Sequence, residues 1–142
     1  MNCIVLGATK GMGRALSRVL AERGDTMCLL GRNHEELQKT ARDLQVRADL
    51  EQEPQTVLCD LEKPEIFQTA LDAAVAALGG VDLVVVTAGV FATQDALDKG
   101  VESAQYLMQI DFVNTIQFCE LASQRLLSNG GCLLYTSPRP RD

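Results

Sequence analysis

Short apolar runs alternate with longer amphipathic segments along this chain, and the alternation leaves few folds open. The runs "CIVLG" (3–7), "TMCLLG" (26–31), "TVLC" (56–59) and "VDLVVVT" (81–87) are rich in Val, Leu and Ile. Continuous apolar runs of this length suit parallel strands buried on both faces. The segments between them have helical period and recognisable ends. The first, about 12–23, stops at Gly24, a favourable C-terminal cap. The second opens on Asn33 with Glu36 three residues later, a capping-box spacing. The third has Pro64 near its first turn and closes at Gly79-Gly80, and a long fourth over about 100–128 ends at Asn129-Gly130. Strand and helix in strict alternation with short turns predict an α/β fold, a doubly wound parallel sheet with helices on both faces.

The 142 residues suffice for one domain, and the hydrophobic share of 46% supports a core. A formal net charge of −6 and the lack of a basic stripe argue against a nucleic-acid partner. No apolar run is long enough for a membrane span, and "NCIVLGA" at the start has no signal-peptide pattern. Cys3, Cys28, Cys59, Cys119 and Cys132 include no C-x-x-C pair, so buried free thiols in a cytoplasmic protein are expected, with no metal site. The single histidine, His34, sits among charged residues at a helix start and is read as exposed and without a role.

The stretch "VLGATKGMGRAL" (5–16) puts Gly7, Gly11 and Gly13 between the first strand and the first helix. Glycines there let the backbone approach a pyrophosphate, and the helix N-terminus offers free N–H groups and partial positive charge. The spacing is G-x-x-x-G-x-G rather than the usual G-x-G-x-x-G. "GATKGMG" resembles the cofactor loop of the short-chain dehydrogenase/reductase family. "CDL" (59–61) is similar to that family's acidic stretch after the third strand, and "VTAG" (86–89) to its N-N-A-G, with Thr87 in place of the second asparagine. The resemblance runs to about Gly131 and covers the cofactor half of a family member. It implies a Rossmann-like fold, here ending after about the fifth strand, and a nicotinamide cofactor. The implied binding residues are Gly7, Lys10, Gly11, Met12 through its backbone, Gly13, Arg32, Asp60, Leu61, Ala88 and Gly89, with Asp60 against the adenine.

The sequence after the second strand bears on which nicotinamide is bound. An NAD enzyme places a carboxylate there for the ribose 2′-hydroxyl. This chain has "LLGRN", with Arg32 and no acid before Glu35. A guanidinium pairs with a 2′-phosphate, and Lys10 in the glycine loop adds a second cation. The alternative is that both are ordinary surface cations. Together, and without a competing acid, they point to NADP(H).

In the family, hydride transfer between the nicotinamide and a carbonyl or alcohol relies on a tyrosine and a lysine spaced Y-x-x-x-K, a serine and an asparagine. Tyr106 is followed at that spacing by Ile110, and Tyr135 by Arg139. The pair is therefore absent here, and Tyr106 is read as a packing residue. Counting from Gly89 and back from Gly130-Gly131 puts the family's asparagine position on Asp111 in "QIDFVNTIQF". Asn114 is the alternative, three residues on. The parent protein is thus expected to be an NADP(H)-dependent reductase or dehydrogenase of a small carbonyl or alcohol. An oligomer formed partly through the long helix is plausible from the resemblance. The other reading is a non-catalytic NADP-binding regulator, which Asp111 and Thr87 keep open.

The last residues, "CLLYTSPRPRD" (132–142), divide the chain. The family's fifth strand ends in a serine seven residues beyond the second glycine; that place is Pro138, with Ser137 one residue early. Two prolines forbid a following helix. The stretch resembles a translated sequencing adapter, C-L-L-Y-T-S-P-S-P-R-D, departing from it only at Arg139. The expected boundaries are therefore an incomplete dinucleotide-binding domain over 1–131 and a non-native tail over 132–142. A genuine divergent strand is the alternative.

Overall fold

A computed structural model describes residues 1–91, 93–98, 100–128, 130 and 133–136. Strands β1 (Asn2–Leu6), β2 (Thr26–Gly31), β3 (Gln55–Leu58), β4 (Leu83–Val86) and β5 (Leu133–Thr136) form one parallel sheet in the order β3-β2-β1-β4-β5. The four foreseen strands fall on the four apolar runs. Their register aligns Leu6 with Leu30 on one side and with Val86 on the other, so three strands end level. The order reverses direction at β1, where a crevice opens beyond the carboxyl ends of the strands.

Alternate residues of each strand serve opposite faces. Cys3 and Val5 pack with Leu29, Leu20, Leu37 and Leu44 beneath helices α1 (Gly11–Glu22) and α2 (His34–Arg47). Ile4 and Leu6 pack with Val84, Leu71, Phe67 and Phe118 on the other face. That face is covered by α3 (Phe67–Leu78) and α6 (Thr115–Ser128), while the short α4 (Gln94–Leu97) and α5 (Val101–Met108) lie between β4 and α6 along the chain. The rings of Phe67 and Phe118 meet edge to face, 5.4 Å apart at 86°. Double-sided burial explains the absence of polar alternation in β1, β2 and β4, whereas β3, at the sheet edge, is only partly buried, with Leu58 53% exposed.

The helix ends follow local chemistry. Gly24 adopts φ +85° just beyond α1, and Gly79 adopts φ +71° at the end of α3, conformations that favour glycine. The Asn33 side chain accepts the Glu36 N–H at 3.0 Å. The reciprocal half of the capping box is not made: the Glu36 carboxylate pairs instead with Arg14 and Lys39, each at 3.0 Å. Pro64 opens a single 3₁₀ turn, Pro64–Ile66, ahead of α3.

The long helix expected over 100–128 is not uniform. A π-helical stretch, Gln109–Asn114, separates α5 from α6. The Thr115 hydroxyl donates to the Ile110 carbonyl at 3.1 Å, five residues back, in keeping with the widened turn. Cys3, Cys28 and Cys59 are buried and free, and burial pushes the thiols of Cys28 and Cys59 up to about 12. No described helix is long and apolar enough to cross a membrane.

Candidate nucleotide-binding site

The glycine turn is locked to the end of β4. The Gly7 N–H donates to the Leu30 carbonyl at 2.9 Å, and the N–H of Thr87 donates to Leu6 at 2.8 Å. The Thr87 hydroxyl donates to the Leu6 carbonyl at 3.2 Å. Gly7 has φ +101°, and a Cβ there would run into the backbone N of Ala88. A Cβ on Gly13 would strike the Gly7 carbonyl oxygen and would lie 2.5 Å from the Thr87 hydroxyl. The first turn of α1 therefore lies directly against the turn that leaves β1. Lys10 precedes that helix with no side-chain cap, and the first turn carries no acidic residue. The leading amides of Gly11, Met12 and Gly13 are thus left to an external anion.

A cleft of about 220 Å³ opens over this corner, lined by Gly7, Lys10, Arg32, Asp60, Leu61, Ala88 and Gly89 among the residues singled out from sequence. Gly11, Met12, Gly13, Asp111 and Asn114 do not line it. Thr9, Gly31, Cys59, Glu62, Thr87, Val90 and Ile110 complete the wall. Asp60 Oδ1 accepts the Glu62 N–H at 3.1 Å and so shapes the turn after β3.

Both residues weighed at the asparagine position sit on the widened helical turn, and each has a distinct partner. Asp111 Oδ1 accepts the Val90 N–H at 2.7 Å and lies 3.1 Å from where a Cβ on Gly89 would stand. Asn114 is buried; its amide donates to the Leu61 carbonyl at 2.6 Å and its oxygen accepts from Gln109 at 2.8 Å. One side chain thus ties the helix to the loop after β4, and the other ties it to the loop after β3.

Arg32 is engaged rather than free. Its Nη1 lies 3.2 Å from Glu62 Oε1, across the cleft wall. Among the described residues Lys10 makes no ion pair. Tyr106 is 48% exposed and does not pack in the core as its place on an amphipathic helix predicted. The Glu62 carboxylate beside its hydroxyl raises its pKa. The sequence reading missed Glu62 although it follows "CDL" directly, because its ion-pair partner Arg32 lies 30 positions away. Ser137, Pro138 and Arg139 lie outside the described residues, as do Gly131 and Cys132.

A parallel sheet with a glycine turn at its switch point defines a nucleotide-binding α/β class, and the comparisons narrow it. The short chain dehydrogenase family matches residues 2–137, and the chain belongs to that family. Carbonyl reductase family member 4 of Danio rerio is 30% identical over 131 residues, covering 92% of this chain and 53% of that protein. An oxidoreductase of E. coli superposes with a TM-score of 0.84 at 26% identity, covering 97% of this chain and 57% of that one. A short chain dehydrogenase of Shigella flexneri, solved in complex with NADP, gives a TM-score of 0.83 at 27% identity, over 99% of this chain and 61% of its own. The chain spans about half the length of the curated relatives it matches.

Proposed function

We propose that this chain forms the cofactor-binding half of an NADP(H)-dependent oxidoreductase acting on a small carbonyl or alcohol. The observation that carries the reading is the cradle at the end of β1. Gly7 and Gly13 leave no space for a side chain, and the first turn of α1 has no side-chain cap and no acidic residue. A pyrophosphate suits that place by charge and by close backbone approach. Gly11, Met12 and Gly13 would hold it through their N–H groups. Asp60, Leu61, Ala88 and Gly89 would flank the adenosine side of the cleft. Arg32 and Lys10 line the same cleft and supply the two cations that suit a 2′-phosphate. The bound nicotinamide supplies the hydride chemistry.

The contribution of these residues is to bind and orient. Thr87 holds the glycine turn to β4, and Asp111 holds the Val90 amide, so the loop beyond β4 stays against the helix. The proton-donating tyrosine and its lysine belong, on this reading, to a part of the parent protein outside residues 1–131. The segment 132–142 is taken as foreign to the parent. Sequencing the source DNA through the Gly131 codon tests that division: native continuation into Y-x-x-x-K supports it, and the same tail followed by a stop codon refutes it.

The cofactor assignment is tested at Arg32. Arg32→Asp removes the guanidinium and adds a repelling carboxylate. NADPH binding is expected to weaken by about ten- to a hundred-fold, converted from the worth of hydrogen bonds to charged groups, with preference moving toward NADH. Equal affinity for the two cofactors before and after the change would refute the assignment. A non-catalytic NADP-binding regulator is the second reading, kept open by Thr87 and by Asp111, counted at the family's asparagine position with Asn114 as the alternative; replacing the parent's tyrosine abolishes turnover only in an enzyme.

A further inference from the structure

Four charged residues line the cleft: Lys10, Arg32, Asp60 and Glu62. Their formal charges cancel, so these side chains give the cleft no net charge, and which of them meets a phosphate depends on local pairing. Arg32, the one guanidinium among them, is already paired with Glu62 at 3.2 Å. Both side chains are reachable by solvent, at 62% and 37% exposure, so the pair can open without unfolding its surroundings. Glu62 stands on a turn fixed by Asp60, whose Oδ1 accepts the Glu62 N–H at 3.1 Å. Its backbone position is therefore set by the loop after β3, independently of Arg32.

We propose that Glu62 is a cofactor-selectivity residue that competes with the 2′-phosphate of NADP(H) for Arg32. An arriving 2′-phosphate must displace the carboxylate from the guanidinium and then sits beside a like charge. A ribose 2′-hydroxyl meets neither obstacle. Glu62 thus lowers the preference for NADP(H) over NAD(H) that Arg32 and Lys10 create. This rests on the proposed contact between Arg32 and the 2′-phosphate, and the experiment separates the two claims.

The probes are 2′,5′-ADP and 5′-AMP, which differ only in the 2′-phosphate and need only the adenosine side of the cleft. Their dissociation constants are measured by calorimetry at low ionic strength. The chains compared are the unaltered one, Glu62→Gln, Arg32→Ala and the double variant. Gln keeps the shape of Glu and removes its charge. Glu62→Gln is expected to tighten 2′,5′-ADP by about 1.4- to five-fold, the range of one exposed ion pair, and to leave 5′-AMP unchanged. The gain should shrink when Arg32 is already Ala and should fade as salt is added. If Arg32→Ala weakens 2′,5′-ADP but Glu62→Gln leaves it unchanged or weakens it, Glu62 does not compete and this proposal falls while the NADP(H) reading stands. If Arg32→Ala leaves the difference between the two nucleotides intact, or neither binds, the NADP(H) reading fails and takes this one with it.

Discussion

Asp111 receives the backbone N–H of Val90 at 2.7 Å, across 21 residues of chain, and so fastens the widened helical turn to the loop that leaves β4. The bond joins two elements that local sequence pattern treats separately. It also gives a carboxylate a structural duty at the edge of the cleft loop.

Asp111→Leu should therefore release the Val90 amide. The expected cost is about 1 kcal/mol of stability, the net worth of one such hydrogen bond. Hydrogen exchange at the Val90 amide should quicken, whereas Asp111→Asn, which retains an acceptor oxygen, should preserve its protection. Unchanged exchange in the Leu variant would show that the bond does not hold the loop.

Gly13→Ala places a methyl group against the Gly7 carbonyl and the Thr87 hydroxyl. Overpacking of this kind costs about 1–3 kcal/mol. A lower denaturation midpoint is expected, together with weaker binding of any nucleotide at the turn. Gly24→Ala tests backbone conformation alone, since nothing lies within 4 Å of a Cβ there and the φ is +85°. The contrast separates crowding from conformational strain.

Phe118→Ala removes a fully buried ring in edge-to-face contact with Phe67, and a loss of about 3–5 kcal/mol is expected from chemical denaturation. Phe112→Ala, on the neighbouring turn but 56% exposed, should cost less than 1 kcal/mol, roughly the range of surface changes.

Asp25 is nearly buried and bonds to the Met1 ammonium at 2.9 Å and to Arg23 at 2.6 Å. Burial alone would raise its pKa, but the two hydrogen-bonded cations outweigh burial and hold it below the usual carboxylate value. A depressed folded-state pKa contributes stability that is present above the unfolded value and lost as pH falls through the folded one. Stability should thus decline below about pH 4, and Asp25→Asn should flatten that decline. An identical acid profile in the variant would remove Asp25 as its source.

Much of the fold was legible because it is written in local periods. "CIVLG" and "VDLVVVT" read as doubly buried strands, since Cys3 and Ile4 each need an apolar neighbour on opposite faces of one sheet. Asn33, Gly24 and Gly79 marked helix ends because their side chains, or lack of one, answer to the adjacent backbone. The π-helical turn at Gln109–Asn114 was not legible. Its partners, Val90 and Leu61, come from two loops far along the chain. Tyr106 looked like a packing residue because helical period places it without saying what lies opposite.

The residues themselves determined the alternating α/β order, the glycine cradle and the cations around it, because each depends on neighbours within one turn or one strand. Tertiary structure decided how those cations are used. Only when β2 and β3 lie side by side does Glu62 come to 3.2 Å from Arg32. Charge pairing depends on distance in space, and no local period encodes a separation of 30 residues.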